Sequence, residues 1–117
     1  LISSFLNLSK VIEYLNSNSR DTLLVCSGWK GSTNLEDTMC AGAIVAGLEN
    51  YDYESDTVVI AKKLYEQSKD DILSSMKKSS HAKRLSGYDN MKDIEFCSEI
   101  DKQEILPYLD GDQIVLL

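Results

Sequence analysis

Adjacent carboxylates at Glu36 and Asp37, the single histidine His81, and the short loop Gly28-Trp29-Lys30-Gly31-Ser32 are the parts of this sequence whose residue types could do chemistry. Thr33-x-x-Glu36 has the spacing of a capping box, so Glu36 has a structural task available to it at the start of a helix. Asp37, in the same first turn, has no such obligatory partner and is the freer candidate for a magnesium ligand, or for orienting a water in that ion's shell. An apolar strand runs into the loop and a helix leaves it. That arrangement aims free N–H groups and the positive end of a helix dipole at an anion. The spacing Gly28-x-x-Gly31 is not a Walker A loop, because Lys30 precedes its glycine, and both glycines fit plain turn positions equally well.

A second candidate lies where the charge changes sign, at Lys77, Lys78, His81, Lys83 and Arg84. If one helix runs through them, Lys77, His81 and Arg84 share a face at i, i+4 and i+7, and that face could bind an anion. Bases near a helix C-terminus also complement its dipole and stay solvated. His81 would have to serve any Ser-His-Asp or Cys-His arrangement. Cys26, at a strand end beside Gly28, is either a presented thiolate or a small buried apolar residue; Cys40 and Cys97 read as packing.

The elements that must position these groups follow from periodicity. Asn7 can cap a helix in which Leu8, Val11, Ile12 and Leu15 form one apolar face. Asp21 to Ser27 reads as a strand whose apolar run from Leu23 suits burial on both faces, as in a parallel sheet. The helix from about Leu35 to Leu48 carries Ala41, Gly42, Ala43, Ala46 and Gly47, small residues that permit close packing inside the domain or a subunit contact. Ser55 or Asp56 opens a helix to about Gln67, and Ser68-Lys69-Asp70-Asp71 opens another with Ile72, Leu73 and Met76. Ser86 to Asn90 is a break, and Met91 to Glu99 a short helix or turn. Leu109-Asp110-Gly111-Asp112 has a type I′ hairpin signal, with Pro107 marking an edge strand. Residues 1–117 therefore predict a single α/β domain, three-layer α/β/α with a mostly parallel sheet and a C-terminal antiparallel hairpin.

The length of 117 residues and 43% hydrophobic content suit one domain with a cooperative core. A net charge of −7 argues against a nucleic-acid backbone or an anionic membrane as partner, so any anionic ligand must be held locally. Three cysteines at irregular spacing make neither a disulfide framework nor a zinc pattern and predict a reducing, cytoplasmic setting. No apolar run approaches the roughly twenty residues of a membrane span. The chain opens without Met on an apolar run, which reads as a piece of something longer.

CSGWKGSTNLEDTMCAGAIV, from Cys26 to Val45, resembles the signature of the 2-phosphosulfolactate phosphatase family. That signature has a strand ending in Cys-Ala/Ser-Gly, a short loop, Leu-Glu-Asp, and an Ala-Gly-Ala helix. Ser80-His81 with Arg84-Leu85, Asp93-Ile94-Glu95-Phe96-Cys97, and Leu106-Pro107 before Gly111 and Ile114 agree in order. Ala82 stands where the family often has Gly. The resemblance covers the C-terminal half of the family's sequence. It implies a magnesium-dependent hydrolase that releases phosphate and sulfolactate from 2-phosphosulfolactate on the route to coenzyme M. It implies roles for Asp37, perhaps with Glu36, in holding or orienting Mg2+, for the Gly28, Lys30, Gly31 and Ser32 loop in cradling an anionic group, and for Lys30, His81 and Arg84 in neutralising sulfonate or phosphate. A different class of function is also open: a non-catalytic half or assembly unit that completes a site built mainly by a missing N-terminal half, or a homo-oligomer, with the small-residue helix as docking face.

Overall fold

Leu8, Val11 and Leu15 lie on one face of helix α1 (Leu8–Ser17), and all three are buried, so the apolar spacing is the packing face. Helix α2 (Leu35–Gly47) carries Met39, Ala43 and Ile44 into the same core, and helix α3 (Asp56–Ser68) is its main helical neighbour. Short helices α4 (Ile72–Lys77), α5 (Ser80–Leu85) and α6 (Met91–Cys97) close the core with Ile72, Met76, Ala82 and Ile94. Strands β1 (Pro107–Asp110) and β2 (Gln113–Leu116) end the order. This computed structural model describes residues 1–85 and 91–117. The break expected at Ser86 to Asn90 lies outside them.

Local chemistry accounts for several boundaries. Ser55 Oγ accepts from Thr57 N at the start of α3, and Asp71 Oδ1 accepts from Ser74 N at 2.9 Å at the start of α4. Asn7 occupies the position before α1, as its residue type suggests, but its side chain does other work. It accepts from Ser4 N and donates to the carbonyls of Ile2 and Ile105, tying the two ends of the chain together.

The two glycines of α2 are consumed inside the chain, while Ala46 is exposed. A Cβ added at Gly42 would lie 2.0 Å from the Ala61 carbonyl oxygen, so α2 and α3 meet backbone to backbone, and Gly47 is filled by Ile12 of α1. Close packing within the domain is thus the role of these glycines.

Three expectations need correction. The architecture is mixed α/β, but the only strands among the described residues are β1 and β2, paired antiparallel from Pro107↔Leu116 to Asp110↔Gln113; no parallel sheet forms. A strand needs neighbours about 4.8 Å away to take its N–H and C=O groups, and these residues supply none to Asp21–Ser27. The radius of gyration is 14.5 Å, against about 13.4 Å for a compact domain of 117 residues. Second, the hairpin turn has positive φ at Gly111 (57°) and not at Asp112, the pattern of a type II′ turn rather than I′. Third, the basic residues do not form one helical stripe, because Lys78 and Ser79 separate α4 from α5. Lys77 faces Glu95 instead, with 3.9 Å between the charged atoms.

Candidate functional site

The loop before α2 is a tight turn. Trp29 and Ser32 exchange backbone hydrogen bonds of 2.9 Å in both directions, with Lys30 (φ 49°) and Gly31 (φ 76°) at the corner. Two consecutive left-handed residues are the I′ pattern, which costs a lysine about 1–2 kcal/mol that glycine escapes. Gly28 is left-handed too, and a Cβ there would strike the Ser32 carbonyl at 2.7 Å. The N–H groups of Gly28, Trp29 and Ser32 are all committed within the protein.

Asp37 pins that turn to the helix. Its Oδ2 accepts from Gly28 N at 2.7 Å and from Ser27 Oγ at 3.2 Å, while Oδ1 takes part in neither bond. Glu36 does not cap α2: Asn34 holds the cap position, and no side-chain cap bond forms. Glu36 Oε1 instead meets His81 Nδ1 at 2.5 Å, joining the first turn of α2 to α5. With Glu36 ionised, Nδ1 carries the proton, so Nε2 is the free nitrogen, and the imidazole is 45% exposed against 17% for Glu36. Glu36 Oε2 is buried with no hydrogen-bond partner among the described residues.

Arg84, also on α5, reaches the loop from the other side. Its guanidinium lies 5.1 Å from the Trp29 ring centroid and donates to Ser80 Oγ, and Lys30 Nζ lies 5.7 Å from the same ring. Arg84 therefore meets the loop at Trp29 and His81 meets the first turn of α2, while Lys77 faces Glu95.

Glu36 and Asp37 line one cavity of about 940 Å³ together with Cys26, Ser27, Cys40 and Arg20. Gly28, Gly31 and Ser32 line a neighbouring one of about 570 Å³, and Cys26 and Ser27 border both. Both volumes suit a small ligand. Burial, and then the charges of Cys26 and Asp37, push the Cys40 thiol up to about 12; burial and Asp37 also raise Cys26. A thiolate nucleophile is thereby disfavoured at both cysteines.

Three features escaped the sequence. The Glu36–His81 pair spans 45 positions, so only the fold brings it together. Arg20 carried no signal in the sequence but lines the cavity, and Ser27 read as the end of a strand. The Ser-Gly next to an aspartate-bearing first turn was the one available signal for the last of these.

The residues fit a magnesium ion in kind. Such an ion binds through one or two carboxylates plus substrate phosphate and keeps several waters. Asp37 Oδ1 and the orphaned Glu36 Oε2 are oxygens not already committed in the hydrogen bonds around the turn. Among the described residues no group of three or more His, Cys, Asp or Glu is arranged to hold a metal unaided.

No helix among the described residues is long and apolar enough to cross a membrane. A sequence model described as 2-phosphosulpholactate phosphatase matches residues 1–112. A Thermotoga maritima protein named probable 2-phosphosulfolactate phosphatase is 41% identical over 116 residues, covering 99% of this chain and 50% of that protein. One from a Synechocystis species with the same name is 37% identical over 110 residues, covering 90% of this chain and 46% of its own. The chain thus spans about half the length of the curated relatives it matches. Matching along nearly its whole length, with the loop, the acidic first turn and the α5 residues inside the matched span, the chain belongs to the 2-phosphosulpholactate phosphatase family.

Proposed function

We propose that this chain forms part of a magnesium-dependent phosphatase that hydrolyses 2-phosphosulfolactate to sulfolactate and inorganic phosphate, the reaction class that serves coenzyme M biosynthesis. The observation that carries the reading is the acidic first turn of α2. Glu36 and Asp37 occupy the end of the helix where the dipole would otherwise welcome a phosphate. A phosphate brought to that end meets two carboxylates in a chain of net charge −7, and a divalent cation reconciles them.

Asp37 Oδ1 and Glu36 Oε2 are the oxygens that would hold the ion, which when bound offsets negative charge on the phosphoryl oxygens. The chain's own residues do the rest. Asp37, through Gly28 N and Ser27 Oγ, fixes the loop against the helix. Arg84 and Lys30, gathered at Trp29, supply positive charge for a sulfonate or carboxylate. His81, oriented by Glu36, presents Nε2 to take a proton from an attacking water or give one to the leaving oxygen. The remaining length of the family is proposed to complete the site, so that this chain is a contributing half.

Phosphate release from 2-phosphosulfolactate should be measured with and without magnesium, first with this chain alone and then with the chain extended by the stretch of the Thermotoga maritima relative that it does not match. Activity in the extended protein, abolished by chelator and reduced about 100-fold or more in Asp37→Asn, is expected. Silence of the extended protein toward this substrate would sink the substrate assignment.

A further inference from the structure

We propose that the segment Thr22–Ser27 is a docking edge, onto which a β-strand from the part of the family's length not spanned by this chain adds itself. The inference rests on the two-part reading above. Among the described residues, none of the backbone N–H and C=O groups of Thr22–Ser27 has a backbone partner. Leu23 is 84% exposed and Val25 81%, while Leu24 between them is half-buried and packs against the core. Leu24 turned inward between two outward neighbours is the local habit of an extended chain, and Thr22, Cys26 and Ser27 on either side are exposed as well. A bare apolar edge of this kind is a template for pairing.

The space around the segment has the shape such an occupant needs. The larger cavity runs between it and the chain start with Tyr108 and Leu109 of β1, and the smaller lies between it and α3. A neighbouring strand about 4.8 Å away would fall into either. On the α3 side the wall continues apolar through Val58 and Ile60, the latter 61% exposed, so a second strand would also be seated on side chains that this chain leaves uncovered. The small-residue face of α2 offers no rival docking surface, because α3 and Ile12 already occupy Gly42 and Gly47.

The occupant is identified by length. The relatives are twice as long as the matched stretch, with 46% and 50% of them aligned to this chain. A stretch of that length is enough to supply a strand that pairs with the backbone of Thr22–Ser27. Docking there would also close the mouth around Glu36 and Asp37, which line the same cavity as Leu23 and Val25.

The test uses hydrogen exchange and needs no substrate, so its failure and failure of the substrate assignment are separate. The chain alone is compared with the extended protein of the activity test, in which the unmatched stretch of the Thermotoga maritima relative is joined to it in one polypeptide. Amides within Thr22–Ser27 are expected to exchange freely in the chain alone and at least about 100-fold more slowly in the extended protein. Leu23→Asp combined with Val25→Asp, at positions already in water, should leave the circular dichroism of the chain unchanged and abolish the protection. Amides that stay unprotected in an extended protein whose α2 amides are protected would overturn the proposal. So would protection that grows with the concentration of this chain alone, which would assign the edge to a second copy.

Discussion

Gly42→Ala tests whether α2, the helix that carries both site carboxylates, is held by backbone contact with α3. The new Cβ would lie 2.0 Å from the Ala61 carbonyl oxygen, 2.5 Å from its carbon and 3.1 Å from Lys62 N. A carbon and a carbonyl oxygen approach no closer than about 3.3 Å, so the helices must part by at least about 1.3 Å locally. None of the three struck atoms can rotate away, because all are backbone. Overpacking costs about 1–3 kcal/mol in ordinary cores and more where nothing yields, and a gap of even 0.5–1 Å forfeits about a quarter to a half of each dispersion contact along the seam. Alanine returns about 1 kcal/mol of helix propensity. The net expectation is a loss of about 3 kcal/mol, a large share of the ~5–15 kcal/mol a domain possesses. Urea unfolding followed by circular dichroism should show the midpoint falling by about 1–3 M. Gly47→Ala is the internal comparison, since there the Cβ meets only the side chain of Ile12, with Cδ1 at 2.6 Å, which can rotate. Its stability should change by less than about 1 kcal/mol. A Gly42→Ala variant as stable as the parent, or more stable, would refute backbone contact between the helices.

In the extended, active protein Glu36→Gln should lower kcat/KM by about 100-fold or more and shift the 15N resonances of His81 toward those of a mixture of tautomers, because the carboxylate that fixes the Nδ1 proton is gone; an unmoved imidazole would detach Glu36 from His81. Burial raises the folded-state pKa of Cys40 from 9.0 to about 12, so its contribution to stability is complete below pH 9 and is lost as pH rises toward 12. At about 1.4 kcal/mol per unit the loss reaches ~4 kcal/mol, and urea curves at pH 8 and 11 should draw closer in Cys40→Ala than in the parent; an equal spread in the two proteins would exclude the effect. Asp71→Ala should cost about 1 kcal/mol by removing the acceptor for Ser74 N, measured by the same unfolding curves, with no change counting against a cap there.

What was legible in the sequence was local. The face of α1, the Ser55 and Asp71 caps, the site of the hairpin, and the placing of Glu36 and Asp37 in a first turn all depend on residues within a few positions of one another. What was not legible required another element. The capping box at Thr33-x-x-Glu36 was a sound local reading, but it competed with a partner 45 positions away for one carboxylate. A solvent-accessible capping bond is worth about 1 kcal/mol, and a charge-assisted bond to an imidazole is roughly twice as strong as a neutral one, so the remote partner prevails. The basic stripe failed for a similar reason: helical spacing from Lys77 to Arg84 presumes an unbroken helix, and Ser79, whose Oγ accepts from Ala82 N, starts a new one.

The strand at Asp21–Ser27 shows where pattern reading stops. An apolar run states that both faces want cover, which follows from the transfer of each side chain out of water. It does not state who provides the cover, because that depends on residues the run never touches. Leu24 found its cover in this chain's core, and Leu23 and Val25 did not. The same division runs through the site. Asp37 is fully placed by neighbours nine and ten positions away, Gly28 and Ser27. Glu36 is placed by a distant helix and still keeps one buried oxygen without a partner among the described residues. A buried carboxylate oxygen in that condition costs free energy until a proton, a metal or a donor reaches it. Glu36 and the exposed Leu23 and Val25 line one cavity, so the strand proposed to dock at Thr22–Ser27 would be added beside the residue that carries this need.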